Sequence, residues 1–114
     1  NKRYIDPEIL KGAVSAIIEY LNKVTGKSFG TASPDTNNLI EERMLDGFVV
    51  ADFFAVIDVK SSQWLEDLKM NQYLKPGTLF SKKFAGYLEE SHAKVVSLNT
   101  QQAKKSHHIL LAAN

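Results

Sequence analysis

The stretch "YLKPGTLFSKKFAGYLEE", Tyr73 to Glu90, decides how the chain closes. Pro76 and Gly77 interrupt whatever precedes them. Leu79, Phe80, Phe84, Tyr87 and Leu88 then recur at the spacing of a single helical face. The segment therefore reads as a fourth helix from about Leu79 to Glu89, turned back onto a third by the Pro-Gly break. Its large rings belong to a core, because bulky aromatic side chains gain most from burial. Lys75, Lys82 and Lys83 are left free to bind something.

Working outward, "VADFFAVIDVKSSQWLEDL" at Val50 to Leu68 predicts the third helix. Phe53, Phe54, Val56, Ile57, Trp64 and Leu68 are available for its buried side, and Asp58, Lys60, Glu66 and Asp67 for its wet side. Its cap is the weakest in the chain, with Ala51 where a hydroxyl or carboxylate would serve better, although Asp52 favours the positive end of the helix. A short turn at Met70 to Leu74 follows it. Upstream, Ser33 and Pro34 open a second helix that Gly47 ends, and Leu39, Ile40, Met44 and Leu45 are its apolar positions. Asp6 and Pro7 open the first, whose stripe runs Ile9, Leu10, Val14, Ile17, Ile18, Leu21 and Val24 before Gly26 stops it. Gly12, inside that stripe, suggests a close helix contact. No segment alternates as a strand does. The fold expected is all-α: a small single-domain bundle of four main helices over residues 1–91, followed by a polar tail or weak helix over 92–114 carrying two apolar islands, Val95 to Leu98 and Ile109 to Ala113.

With 114 residues, 44% apolar and 24% charged, the chain has the balance of one soluble globular domain. Cysteine is absent, so disulfides and thiolate metal sites are excluded. No apolar run is long enough for a membrane span, and the absence of cysteine fits a reducing cytoplasm. The net charge is +1, but the signs are segregated. Thr31 to Asp58 holds six acids and one arginine, a local charge of −5, whereas Lys69 to Lys105 holds seven lysines and two glutamates, a local charge of +5.

Catalytic constellations fail one at a time, and the chain is expected to be no enzyme and to need no cofactor. Glu41 and Glu42 are adjacent, so on a helix they diverge by about 100° instead of converging on one bond. His92, His107 and His108 lack the spacing of three or four that places ligands on one helical side, which argues against a metal. "GKSFG" at Gly26 to Gly30 contains the end of a phosphate-binding loop, but it lacks the earlier glycine and follows a helix instead of a strand. The candidate nucleic-acid residues are Lys60, Lys69, Tyr73, Lys75, Lys82 and Lys83, because lysines on a backbone and rings under bases are how single strands are gripped. The candidate partner-binding residues are Glu41 and Glu42 on the acidic second helix and Ile109, Leu110 and Leu111 in the tail, since an amphipathic helix laid in a groove is a common mode of protein recognition.

Three runs carry a resemblance to a known family: "IIEYLNKVTGKSF" at Ile17 to Phe29, "LIEERMLDGFVVADFFAVIDVKSSQWLED" at Leu39 to Asp67, and "MNQYLKPGTLFSKKFAGYLEE" at Met70 to Glu90. Together they resemble the conserved C-terminal domain of phage replication proteins, the replisome organizers and DnaD-like initiators of phages and prophages in low-GC Gram-positive bacteria. That family's pattern runs YLN-x-x-TG-x-x-F, then DGF or EGF, then D-F-x-x-VID-x-K-x-x-x-W, then YLRP-x-TLF and KF-x-x-YL. Lys75 stands here where the family usually has Arg. The resemblance covers about residues 14 to 90. It implies a non-catalytic module that helps start phage DNA replication in the bacterial host cytoplasm by recruiting the host helicase or its loader, with direct DNA binding and self-association as the alternatives.

Overall fold

The computed structural model describes residues 4–93, and within them the chain is helical with no strand. Helix α1 spans Pro7–Thr25, α2 Pro34–Leu45 and α3 Val50–Trp64, with a single 3-10 turn at Asn71–Tyr73 and a one-turn α4 at Pro76–Leu79. A fifth helix, α5, begins at 84 and continues through 93. The bundle of four longer helices expected from periodicity is thus present, with one extra break.

The helix starts follow the local chemistry. The Asp6 side chain accepts the Glu8 amide at 2.8 Å ahead of Pro7, and the Ser33 hydroxyl accepts the Thr36 amide at 3.4 Å ahead of Pro34. Both satisfy donors that the first helical turn cannot bond internally. At α3 no hydroxyl is needed, because the Asp52 carboxylate reaches back to accept the Val49 amide at 2.8 Å. Gly26 and Gly47 adopt φ of 74° and 107° after α1 and α2, a left-handed turn that side chains with a Cβ resist.

Helix α1 packs chiefly against α3. The core consists of Ala13, Val14, Ile17, Ile18 and Leu21 from α1, Ile40 from α2, Phe53, Val56 and Ile57 from α3, and Leu74, Leu79, Phe80, Phe84 and Leu88 from the last third. Its centre is aromatic. Phe53 lies 5.3 Å from Phe80 and 4.8 Å from Phe84 between ring centroids, and Phe48 approaches Phe84 at 4.9 Å. Such tilted and edge contacts suit the ring quadrupoles and add to the burial of area.

Six expectations are corrected. The third helix ends at Trp64, because the Asp67 amide tightens to the Trp64 carbonyl while the Asp67 carboxylate accepts the Lys69 and Met70 amides, each at 2.8 Å. Leu68, placed on the helix's buried side, is consequently outside the helix and 103% exposed. The fourth helix is split: the Ser81 hydroxyl donates to the Thr78 carbonyl at 2.8 Å and accepts the Lys83 amide at 3.3 Å, so local side-chain bonds replace the helical ladder between α4 and α5. Ile9 is 63% exposed, since burial on its face of α1 begins a turn later with Ala13. Gly12 is exposed, and nothing lies within 4 Å of where its Cβ would be, so it marks no close contact. Trp64 is half-buried at the edge of the core instead of inside it.

Candidate functional site

The words that look most like a signature are used largely inside the fold. Asn22 clamps the loop after α1 by donating to the Phe29 carbonyl at 3.0 Å and accepting the Phe29 amide at 2.8 Å. Lys27, the lysine of the phosphate-loop lookalike, donates to the carbonyls of Asn71 and Leu74 at 2.6 and 3.2 Å. It therefore fastens the turn before α4 and holds no phosphate. Tyr20 donates to Asp58 at 2.5 Å and stacks on Phe54; that bond to Asp58, with burial second, pushes the tyrosine pKa up to about 12. In "DGF", Asp46 pairs with Arg43, Gly47 makes the turn, and the Phe48 amide returns to the Arg43 carbonyl at 3.1 Å.

Lys60 is the clearest departure from the sequence reading. Expected on the wet side of α3 among the nucleic-acid residues, it is only 5% exposed. Its ammonium stands 4.3 Å from the Trp64 ring centroid and 4.6 Å from that of Tyr87. It donates to Gln63 Oε1 at 2.7 Å and to Glu90 Oε1 at 3.2 Å, and Gln63 donates to the same Glu90 oxygen at 2.8 Å. Two ring faces and two oxygens replace the water that a buried cation would otherwise miss. The lysine is a tie between α3 and α5, with its ammonium engaged inside the fold. Tyr87 has its pKa raised, first by burial and then by Glu90. Glu90 has its pKa lowered, first by the Gln63 bond and then, against burial, by Lys60.

The other basic residues face outward. Lys69, Lys75, Lys82 and Lys83 are exposed, and Tyr73 is 40% exposed. Lys69, Tyr73 and Lys75 sit on a turn made rigid by Asp67, by Lys27, and by Asn71, whose side chain donates to the Leu65 carbonyl at 2.9 Å. Leu68 projects from the same turn. Lys82 and Lys83 stand in the break between α4 and α5. One cavity of about 270 Å³ opens beside them, lined by Arg43, Asp46, Phe48, Lys82, Phe84 and Ala85. On α2, Glu41 is half-buried and Glu42 exposed, the latter bonded to Arg43 at 3.1 Å. Ile109, Leu110 and Leu111 lie outside the described residues.

Sequence reasoning missed Lys27 and Arg43 as buried or bonded cations. For Arg43 there was a signal, an arginine flanked by Glu42 and Asp46 within one turn. Among the described residues no cluster of His, Cys, Asp or Glu could hold a metal, and no helix is long and apolar enough to cross a membrane.

What these features define is a small helical domain whose conserved-looking words build its core and clamps, with a basic break and turn left on the surface. Residues 17–89 match the conserved phage C-terminus family, and the chain belongs to that family. No curated protein and no solved structure matches it.

Proposed function

We propose that this chain is a non-catalytic module of phage DNA replication initiation that recruits the host helicase or its loader in the bacterial cytoplasm. The reading is supported by membership of a phage C-terminal family, together with the resemblance of Ile17–Phe29, Leu39–Asp67 and Met70–Glu90 to replication proteins. The observation that carries it furthest is the rigid, exposed turn of Leu68, Lys69 and Tyr73 beside Lys75: a fully exposed leucine held in fixed geometry costs little ordering entropy when a partner covers it. Immobilised protein incubated with lysate of the phage's host should retain the helicase or its loader. Retention of neither by folded bait overturns the reading.

A second reading, DNA binding, is favoured by the exposure of Lys69, Lys75, Lys82 and Lys83. On that reading Lys82→Glu with Lys83→Glu weakens DNA binding and flattens its salt dependence, because fewer counterions are released. No affinity for DNA at low salt removes it.

A further inference from the structure

The turn between α3 and α4 uses most of its polar groups to hold its own shape. Asp67 Oδ1 accepts the Lys69 and Met70 amides, each at 2.8 Å, and the Asp67 carbonyl accepts the Asn71 amide at 3.0 Å. The Gln72 side chain donates to the Lys69 carbonyl at 3.0 Å, and the Tyr73 amide donates to the Met70 carbonyl at 2.9 Å. Lys27 reaches across from the loop after α1 to the carbonyls of Asn71 and Leu74. A segment strapped in this way has little conformational entropy left to lose. Its outward side chains, by contrast, are unused. Leu68 is fully exposed and Tyr73 is 40% exposed. Among the described residues the Tyr73 hydroxyl has no hydrogen-bond partner, and neither Lys69 nor Lys75 forms an ion pair.

We infer that this turn is the surface by which the chain docks on the protein it recruits, with Leu68 entering an apolar pocket of that protein and Lys69 and Lys75 facing carboxylates at the pocket's edge. The inference rests on the recruitment reading for the partner's identity, the host helicase or its loader, and adds the contact and its chemistry. Charge selects the sign of the partner's surface. Lys27, Lys69 and Lys75 outnumber Glu66 and Asp67 around the turn, and the Asp67 carboxylate is already engaged by two amides. Leu68 selects the class of partner. An apolar side chain gains by leaving water for an apolar pocket, whereas a phosphate backbone is held through charged and polar contacts. Glu66, exposed two residues before Leu68, further opposes a polyanion. Tyr73 adds a ring to the apolar contact and a hydroxyl to its polar rim, a pairing that suits protein interfaces. Because the turn is already ordered, a small surface suffices for binding.

The experiment measures association and dissociation rates of the chain and its variants with purified host helicase, purified loader and a short single-stranded oligonucleotide, and follows self-association by sedimentation velocity. Wild-type protein should bind the helicase or the loader. Leu68→Ser, at a fully exposed position, should leave the melting temperature unchanged and weaken that binding about 10-fold or more, chiefly through faster dissociation. Lys69→Glu with Lys75→Glu should slow association and flatten its salt dependence. Lys11→Glu with Lys23→Glu, the same change of charge at exposed positions of α1, should leave dissociation unchanged and association within about two-fold. Leu68→Ser binding as tightly as wild type overturns the inference and leaves recruitment standing. Wild type binding neither the helicase nor the loader overturns both. Self-association that Leu68→Ser abolishes, with helicase and loader binding unmoved, hands the turn to a second copy and overturns the inference. So does oligonucleotide binding that falls in Lys69→Glu with Lys75→Glu while helicase and loader binding does not, which assigns the turn to nucleic acid.

Discussion

Lys60 and Lys82 are both lysines beside aromatic rings, and in the sequence they belong to the same basic, ring-rich tract. In the folded chain they part. Lys60 is enclosed by Trp64 and Tyr87 and bonded to Gln63 and Glu90. Lys82 is exposed at the rim of a cavity floored by the partly buried Phe48 and the buried Phe84. A charge beside a ring is thus not yet a binding site. What decides is whether the chain itself already supplies the oxygens and ring faces that the ammonium needs, as it does for Lys60, or leaves them to a ligand.

The comparison can be broken most severely from the apolar side. Phe84→Ala removes a fully buried ring that touches Phe53, Phe80 and Phe48, and it should cost about 3–5 kcal/mol, a large part of the stability of a domain this size. Denaturant melts measure this, and a loss under about 1 kcal/mol would place Phe84 at the surface with Lys82. Lys60→Ala should cost about 1–3 kcal/mol through the lost methylene packing and cation–π contacts. A neutral result there would make Lys60 an ordinary solvated lysine.

A smaller effect sharpens the pH behaviour of the Lys60 tie. The Glu90 carboxyl ionises more readily in the folded chain than in the unfolded one, chiefly because Gln63 donates to it. Its contribution to stability is therefore present above the ordinary value of 4.5 and is lost as pH falls through the folded value below it. Acid unfolding of Glu90→Gln should show a shallower loss of stability below that point, and an unchanged profile would remove Glu90 from the tie. The smallest effect is expected outside: Lys82→Glu with Lys83→Glu should change stability by no more than about 0.5 kcal/mol, so any loss of binding in that variant reports on the surface and not on folding.

The starts of α1 and α2 were legible because Asp6-Pro7 and Ser33-Pro34 act within a few residues of themselves, and the stops at Gly26 and Gly47 were legible for the same reason. The apolar core was legible through periodicity. What periodicity could not reveal is where a helix gives way to side-chain bonds: Asp67 and Ser81 cut the third and fourth helices, and Leu68 went outside as a result. Nor could it reveal the environment of Lys60, because the face of α3 that bears Lys60 becomes interior only when α5 brings Tyr87 and Glu90 against it. The candidate site was legible in its parts, Lys69, Tyr73, Lys75, Lys82 and Lys83, but the cavity joins α2 to α5 across 39 residues, from Arg43 to Lys82, a separation that no local pattern bridges.

The split between enclosed and outward lysines is tested most directly by the rate at which each amine is modified by a small acylating reagent under native conditions, followed residue by residue by mass spectrometry. Lys69, Lys75, Lys82 and Lys83 should react at the rate of unstructured lysines, while Lys60 reacts only through opening of the α3–α5 contact and falls behind them by about 100-fold or more, which corresponds to an opening cost of about 2.7 kcal/mol. Modification of Lys60 as fast as Lys75 would contradict the account and return Lys60 to the exposed basic surface.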